Sequence, residues 1–140
     1  MDLKTTNRRV IQQFRAGGEI PGMHRERLVL LTTVGAKSGR RHTTPMMFHR
    51  DGDRILVMAS NSGDPRIPDW YRNAVVNPEV KVEVGDETYE AAATPLEGDE
   101  YKQIWATITR LYPFFADHRR SAGRPIPIVA LERRAPVPRV

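Results

Sequence analysis

The chain has 140 residues, 39% hydrophobic and 28% charged, with no cysteine and a formal net charge of +5, a balance that describes one soluble globular domain. Disulfide and thiolate chemistry are excluded, and no apolar run approaches the ~18 residues that a membrane span needs. The excess positive charge points to an anionic partner: nucleic acid, acidic lipid, or a ligand bearing phosphate or carboxylate.

Along the chain, Thr6–Ala16 places Val10, Ile11 and Phe14 at helical spacing and meets a stop at Gly17-Gly18. Its polar face carries Arg8, Arg9 and Arg15, so a docking helix with a solvated basic face is expected, the alternative being weak contact with acidic membrane. Arg27–Val34 is a short β-branched run that reads as a buried strand. A basic loop, GAKSGRRH, follows, then TTPMMFHR and RILVMAS, joined by Asp51-Gly52-Asp53 as a hairpin signal. Asp69 is expected to cap a short helix, DWYRNAVVN, which Asn77-Pro78 closes. Glu79–Val84 alternates strictly, Val80, Val82 and Val84 inward and Lys81 and Glu83 outward, and Gly85-Asp86 turns the chain into ETYEAAATPL. Asp99 is expected to cap a longer helix whose Tyr101, Ile104, Trp105, Ile108, Leu111 and Tyr112 form one stripe. Pro125–Glu132, PIPIVALE, reads as a last strand, its prolines marking an edge or a strand start. Six short strands with few helices predict an α+β domain whose antiparallel sheet closes into a small barrel. Residues 1–26 would be the N-terminal helix and linker, 27–133 the barrel, and 134–140 a loose tail.

The histidines at 24, 42, 49 and 118 are not spaced as metal ligands, so no metal is expected. Nucleophile-elbow, phosphate-loop and dinucleotide signatures are absent. What remains is the basic loop, where Lys37, Arg40, Arg41 and His42 present cationic donors, Ser38 adds a hydroxyl, and Gly35 and Gly39 allow close approach of a ligand. Charge-assisted hydrogen bonds of this kind contribute roughly 1.5–3 kcal/mol each, so two or three hold a phosphate or several carboxylates. A solvated basic turn is the alternative. Further on, RILVMAS ends in the small residues Ala59, Ser60, Asn61, Ser62 and Gly63, which leave room for a flat ring and offer amides to its polar edge. Trp70, Tyr71 and Asn73 then begin a helix whose N-terminus carries free amides and partial positive charge. Clamp, shelf and aromatic wall together describe a site for a planar ligand with an anionic tail.

The stretches LLTTVGAKSGRRHTTPM, VMASNSGDPRIPDWYRN with NPEVKVEV, and LYPFFADHRRSAGRPIPIV resemble the deazaflavin-dependent nitroreductase family, actinobacterial split β-barrel proteins that use coenzyme F420. The resemblance spans about Leu28 to Leu131 and implies a split barrel of about six antiparallel strands with flanking helices. F420 is an 8-hydroxy-5-deazaflavin whose tail holds a phosphodiester and a chain of glutamates. The resemblance implies that Lys37, Ser38, Gly39, Arg40, Arg41 and His42 receive this tail, with Thr44 and Pro45 bordering the groove. It further implies that Met58, Ala59, Ser60 and Asn61 line the ring, and that Asp69, Trp70, Tyr71 and Asn73 close the pocket. Tyr112, Phe115 and His118 would roof the substrate, with Tyr112 and His118 as proton donors. The nitro-reducing members carry further tyrosines where Phe115 and His118 stand here, and a lysine where Asn61 stands. The implied reaction is hydride transfer from F420H2 to an electron-poor small molecule: a conjugated carbonyl, a quinone or a nitroaromatic. The alternatives are an FMN-dependent split-barrel oxidoreductase and a carrier that binds F420 without turnover. A module for nucleic acid or acidic lipid is disfavoured, because AKSGRRHTTP interleaves no aromatic with its cations. The N-terminus lacks the apolar core of a secretory signal, so a cytoplasmic location is expected. An edge strand at 125–132 would be covered by a partner subunit or by the N-terminal helix.

Overall fold

The computed structural model describes residues 3–20 and 23–134, so the tail expected to be loose lies, from 135 on, outside the described residues. Helix α1 (Leu3–Ala16) leads into strands β1 (Leu28–Val34), β2 (Arg41–Asp51) and β3 (Arg54–Met58). Helix α2 (Asp69–Val76), β4 (Glu79–Val84) and β5 (Glu87–Pro95) follow, then α3 (Gly98–Leu111), α4 (Phe114–Ala122) and β6 (Ile128–Arg133). The strands form one closed antiparallel barrel in the order β1-β2-β3-β6-β5-β4, with β4 paired back onto β1.

Alternation along each strand divides the apolar residues between two faces. Val29, Leu31, Ile55, Val57, Val80, Val82, Val129 and Leu131 fill the barrel, and α2 pushes Trp70 and Ala74 into the same core. On the outside, Leu28 and Leu30 are covered by Val10 and Phe14 of α1 together with Ile20. Leu56, Met58, Ile128 and Ala130 are covered by Ile108 of α3 and Phe115 of α4. Each such side chain removed fully from water stabilises the fold by about 1.5–3 kcal/mol, which is why helices of modest intrinsic stability hold their places. Arg15 makes a two-pronged hydrogen bond to Glu83 at 3.0 and 2.9 Å, tying the end of α1 to β4. Arg54 holds Asp51 and Glu100, each at 2.9 Å, and so ties α3 to the β2–β3 hairpin.

Several expectations need correction. PIPIVALE is not an edge: β6 pairs with β3 on one side and β5 on the other, and the two prolines precede its first paired residue. Helix α2 is capped by Pro68 and α3 by Glu97, so Asp69 and Asp99 lie in the first turns, where negative charge favours the helix dipole without a capping bond. Leu111 leaves the α3 stripe and is half exposed. Arg15, expected on the solvated basic face of the helix, is engaged by Glu83. Strand β2 begins at Arg41, which moves Arg41 and His42 from the loop to the strand. Among the described residues no helix is long and apolar enough to cross a membrane.

Candidate functional site

Between β1 and β2 the chain makes a tight turn over residues 35–40. Gly35 N–H donates to Arg40 O at 2.7 Å, Gly39 N–H to Gly35 O at 3.0 Å, and Arg40 N–H to Ser38 Oγ at 3.1 Å. A Cβ on Gly35 would sit 2.5 Å from Ser38 Oγ and 3.2 Å from His42 Nε2, so a side chain there would have to displace the Ser38 hydroxyl. The turn is buckled to α2 by Asn73, whose Oδ1 accepts from Ala36 N–H at 2.9 Å, and Asn77 Nδ2 donates to Val34 O at 3.3 Å. Lys37, Arg40, Arg41 and His42 are all exposed, and among the described residues none of their side chains makes an ion pair or hydrogen bond. The backbone of the turn thus carries Lys37, Arg40 and Arg41 with no counter-charge among the described residues.

From this turn β2 runs about 26 Å to His49. Its register with β1 puts Thr44 and Met46 on the barrel side, opposite Leu31 and Val29, and Thr43, Pro45 and Met47 on the outer side, opposite Thr32, Leu30 and Leu28. Residues 43–49 stay half-buried, while Leu28–Thr33 of β1 and Ile55–Met58 of β3 are buried. Helix α1, which also covers β1, lies against β2 on one side, and Met47 of β2 packs on the α3–α4 core on the other. Thr43, Pro45, Met47 and His49 alternate along the outer face of β2, from the cationic turn toward the far end of the strand. There His49 Nδ1 and Tyr112 Oη share a hydrogen bond of 3.0 Å, with the rings edge to face at 5.7 Å. Tyr112 is the C-cap of α3, and Pro113 immediately starts α4, so the tyrosine is held at a helix corner.

His118 lies on helix α4, an element that the sequence pattern did not predict. The His118 ring lies edge-on to Phe114 and Phe115, with its Nδ1 buried and unpartnered among the described residues, so the ring offers its Nε2 outward. Phe115 is 4% exposed and packs beneath the corner in the helix–barrel core, whereas its neighbour Phe114 is 42% exposed. The aromatic at the surface is thus 114 and not 115. The adjacent pair Phe114-Phe115, one out and one in, breaks a helical stripe, which is why α4 was missed. Pro113 before it and Gly123 after it were the available signals.

The residues of the small shelf are more enclosed than expected. Met58 lies under α3–α4, Ala59 faces the barrel, Ser60 is buried, and only Asn61 and Ser62 reach the surface. Trp70 is inside the barrel end, so the wall it was to form belongs to the core, with Tyr71 edge-on at 6.2 Å and half-buried beside it. Asp69 is exposed in the first turn of α2. Two residues that the sequence did not single out for the site enter it: His49, through Tyr112, and Arg124, which binds the carbonyls of the 59–66 loop.

A barrel with an exposed, uncompensated cationic turn and a polar pair at the far end of one strand fits a long ligand with an anionic end. A family model described as F420H(2)-dependent quinone reductase matches residues 4–133. The chain belongs to that family. It is an F420H2-dependent oxidoreductase, and its cofactor is coenzyme F420. It is 37% identical over 123 residues to the F420H(2)-dependent quinone reductase Rv1261c of Mycobacterium tuberculosis, covering 86% of this chain and 81% of the relative. Among solved structures, the F420-H2 dependent reductase FDR-A is 36% identical with a TM-score of 0.69, covering 79% of this chain and all of that one. A solved domain-swapped dimer is 34% identical with a TM-score of 0.71, covering 89% and 96%. The split-barrel fold expected from the sequence is the fold of these relatives.

The residues fit the cofactor on physical grounds. A phosphodiester and a run of glutamates call for several cations without partners, and Lys37, Arg40 and Arg41 are exposed cations with none among the described residues.

Proposed function

We propose that this protein reduces a quinone with F420H2, the cofactor lying along the outer face of β2 with its tail on Lys37, Ser38, Arg40 and Arg41. The observation that carries the reading is the pairing of two ends of one strand: unpaired cations at the start of β2 and the Tyr112–His49 hydrogen bond near its end. The naming of the relatives as quinone reductases supports the choice of acceptor. When bound, F420H2 supplies a hydride. The chain must then deliver a proton to the acceptor oxygen, and Tyr112 Oη, backed by His49 Nδ1 at 3.0 Å, is the relay. His118, on the neighbouring face of α4, offers a second donor, and exposed Phe114 gives the flat acceptor an apolar contact that Phe115 supports from below. Thr43, Pro45 and Met47 form the floor between tail and ring, and the ring ends against the backbone of Ser60 and Asn61.

The test is anaerobic oxidation of F420H2 by a soluble naphthoquinone, an enone and a nitroaromatic, run in parallel with Tyr112→Phe. Turnover with the quinone at the highest kcat/KM, and a fall of about a hundredfold in kcat for Tyr112→Phe, is the expected result. Turnover of the enone or nitroaromatic with none of the quinone would overturn the acceptor, and an unchanged kcat in Tyr112→Phe would remove the tyrosine from the proton path.

A further inference from the structure

Between α4 and β6 the chain carries Arg124, half-buried, whose three guanidinium nitrogens reach six backbone carbonyls. Nε donates to Pro65 O at 3.0 Å; Nη1 to Ala59 O at 3.2 Å and to Pro125 O at 3.3 Å; Nη2 to Ser60, Asp64 and Arg66 O at 3.3, 3.2 and 3.1 Å. Five of the six belong to the loop that follows β3. That loop holds two non-glycine residues in the left-handed region, Asn61 at φ 49° and Ser62 at φ 54°. Backbone of this kind persists only where its surroundings over-determine it. Two features do so here. Arg124 gathers the carbonyls, and Gly63 sits so close to α4 that a Cβ would meet Ser121 at 3.2 Å and His118 Cα at 3.4 Å.

The consequence concerns the amides. With its carbonyls collected by one guanidinium, the loop leaves the N–H groups of Ser60, Asn61 and Ser62 without a hydrogen-bond acceptor among the described residues. Ser60 is right-handed at φ −80°, ψ −27°, and the next two residues are left-handed, the sequence of conformations that makes successive N–H groups converge on an acceptor. We infer that Arg124 is a positioning residue: it fixes the 59–66 loop in the shape that presents these amides to the polar edge of the deazaflavin ring. The inference rests on the reading of that loop as the ring end of the cofactor site. Lysine cannot substitute, because a single ammonium cannot span acceptors that a planar fork reaches together.

Arg124→Lys keeps the charge and removes the fork. Amide hydrogen exchange of residues 59–66 should accelerate while that of β1 and β6 is unchanged. The F420 Kd and the KM for F420H2 should rise about tenfold, with kcat at saturating cofactor within about twofold of the parent. Guanidinium added to Arg124→Ala should recover part of the affinity, which a general loss of stability would not allow. Unchanged exchange in the loop of Arg124→Lys would overturn the inference, as would a fall in kcat at constant KM. In the parent protein the Arg124 Nε–H should exchange far more slowly than that of exposed Arg9; equal rates would also overturn it, without need of a variant. Ser62→Pro, which cannot hold a positive φ, separates the two levels of the reading. If it and Arg124→Lys both loosen the loop and both leave F420 affinity intact, the loop is not the ring site, and the inference falls with that reading.

Discussion

Gly35 shows how one residue sets the geometry of the cationic turn. Its missing side chain is what allows Ser38 Oγ and Arg40 O to fold back over it, and the approach of Ser38 leaves no room for even a methyl group. Gly35→Ala must push the Ser38 hydroxyl off its bond to Arg40 N–H and reopen the turn that aims Lys37 and Arg40. The F420 Kd should therefore rise about tenfold, equivalent to losing one charge-assisted contact. Ser38→Gly, which deletes the same hydroxyl bond to Arg40 N–H, should weaken binding to a similar degree, and adding it to Gly35→Ala should cost little more. Fluorescence titration with F420 checks these variants, and a double variant much weaker than either single one would show that the two substitutions act on separate contacts. The tight cationic turn was legible in the sequence because charge and glycine coincide there. Arg124 was not, because a lone arginine before a proline carries no signal of the six carbonyls that folding brings to it. His49 was hidden for the same reason, since its partner lies 63 positions away.

At the level of elements, the strands were legible and their neighbours were not. Alternation at Val80, Val82 and Val84 is a local property and gives β4 directly. Whether β6 is an edge is a property of the closed barrel, and its two prolines serve a strand start as readily as an edge. The position of α1 is likewise non-local and depends on the Arg15–Glu83 pair. The hydrogen bonds from Arg15 hold the Glu83 carboxyl below its ordinary value near 4.5, against an opposing effect of burial. A carboxylate lowered on folding contributes stability that is fully present above its ordinary value and is lost as pH falls through the lowered one. Arg15 stays charged throughout, so the titration lies on Glu83. Glu83→Gln should cost about 1 kcal/mol at pH 7, and the difference from the parent should shrink toward zero as pH drops below the ordinary glutamate range. Urea unfolding at several pH values measures the difference; a constant gap down to the most acidic condition would show that Glu83 acts through packing and not through charge.

For the whole molecule, the +5 net charge matters through its distribution. Arg15, Arg54, Arg133 and Arg134 are neutralised locally by carboxylates, Arg25 and Arg119 lie over aromatic rings, and Arg124 is spent on carbonyls. Lys37, Arg40 and Arg41 have no such partner among the described residues, and exposed Arg72 lies on α2, the helix to which the turn is buckled. The open end of β2 is therefore a source of positive potential that reaches into solvent over about 10 Å at 0.1 M salt. An anionic tail should be drawn to it, whereas the ring, seated against half-buried β2 and backbone amides, should be indifferent to salt. Raising salt from about 0.05 M to about 0.5 M should weaken F420 binding by about tenfold and slow association more than dissociation. A deazaflavin fragment lacking the phosphodiester and glutamates should bind more weakly, with less than about a twofold change over the same range. Lys37→Ala combined with Arg40→Ala should give intact F420 the flat salt response of the fragment. Equal salt slopes for fragment and intact cofactor would place the tail away from this turn, and the potential at the end of β2 would then need a different anion to explain it.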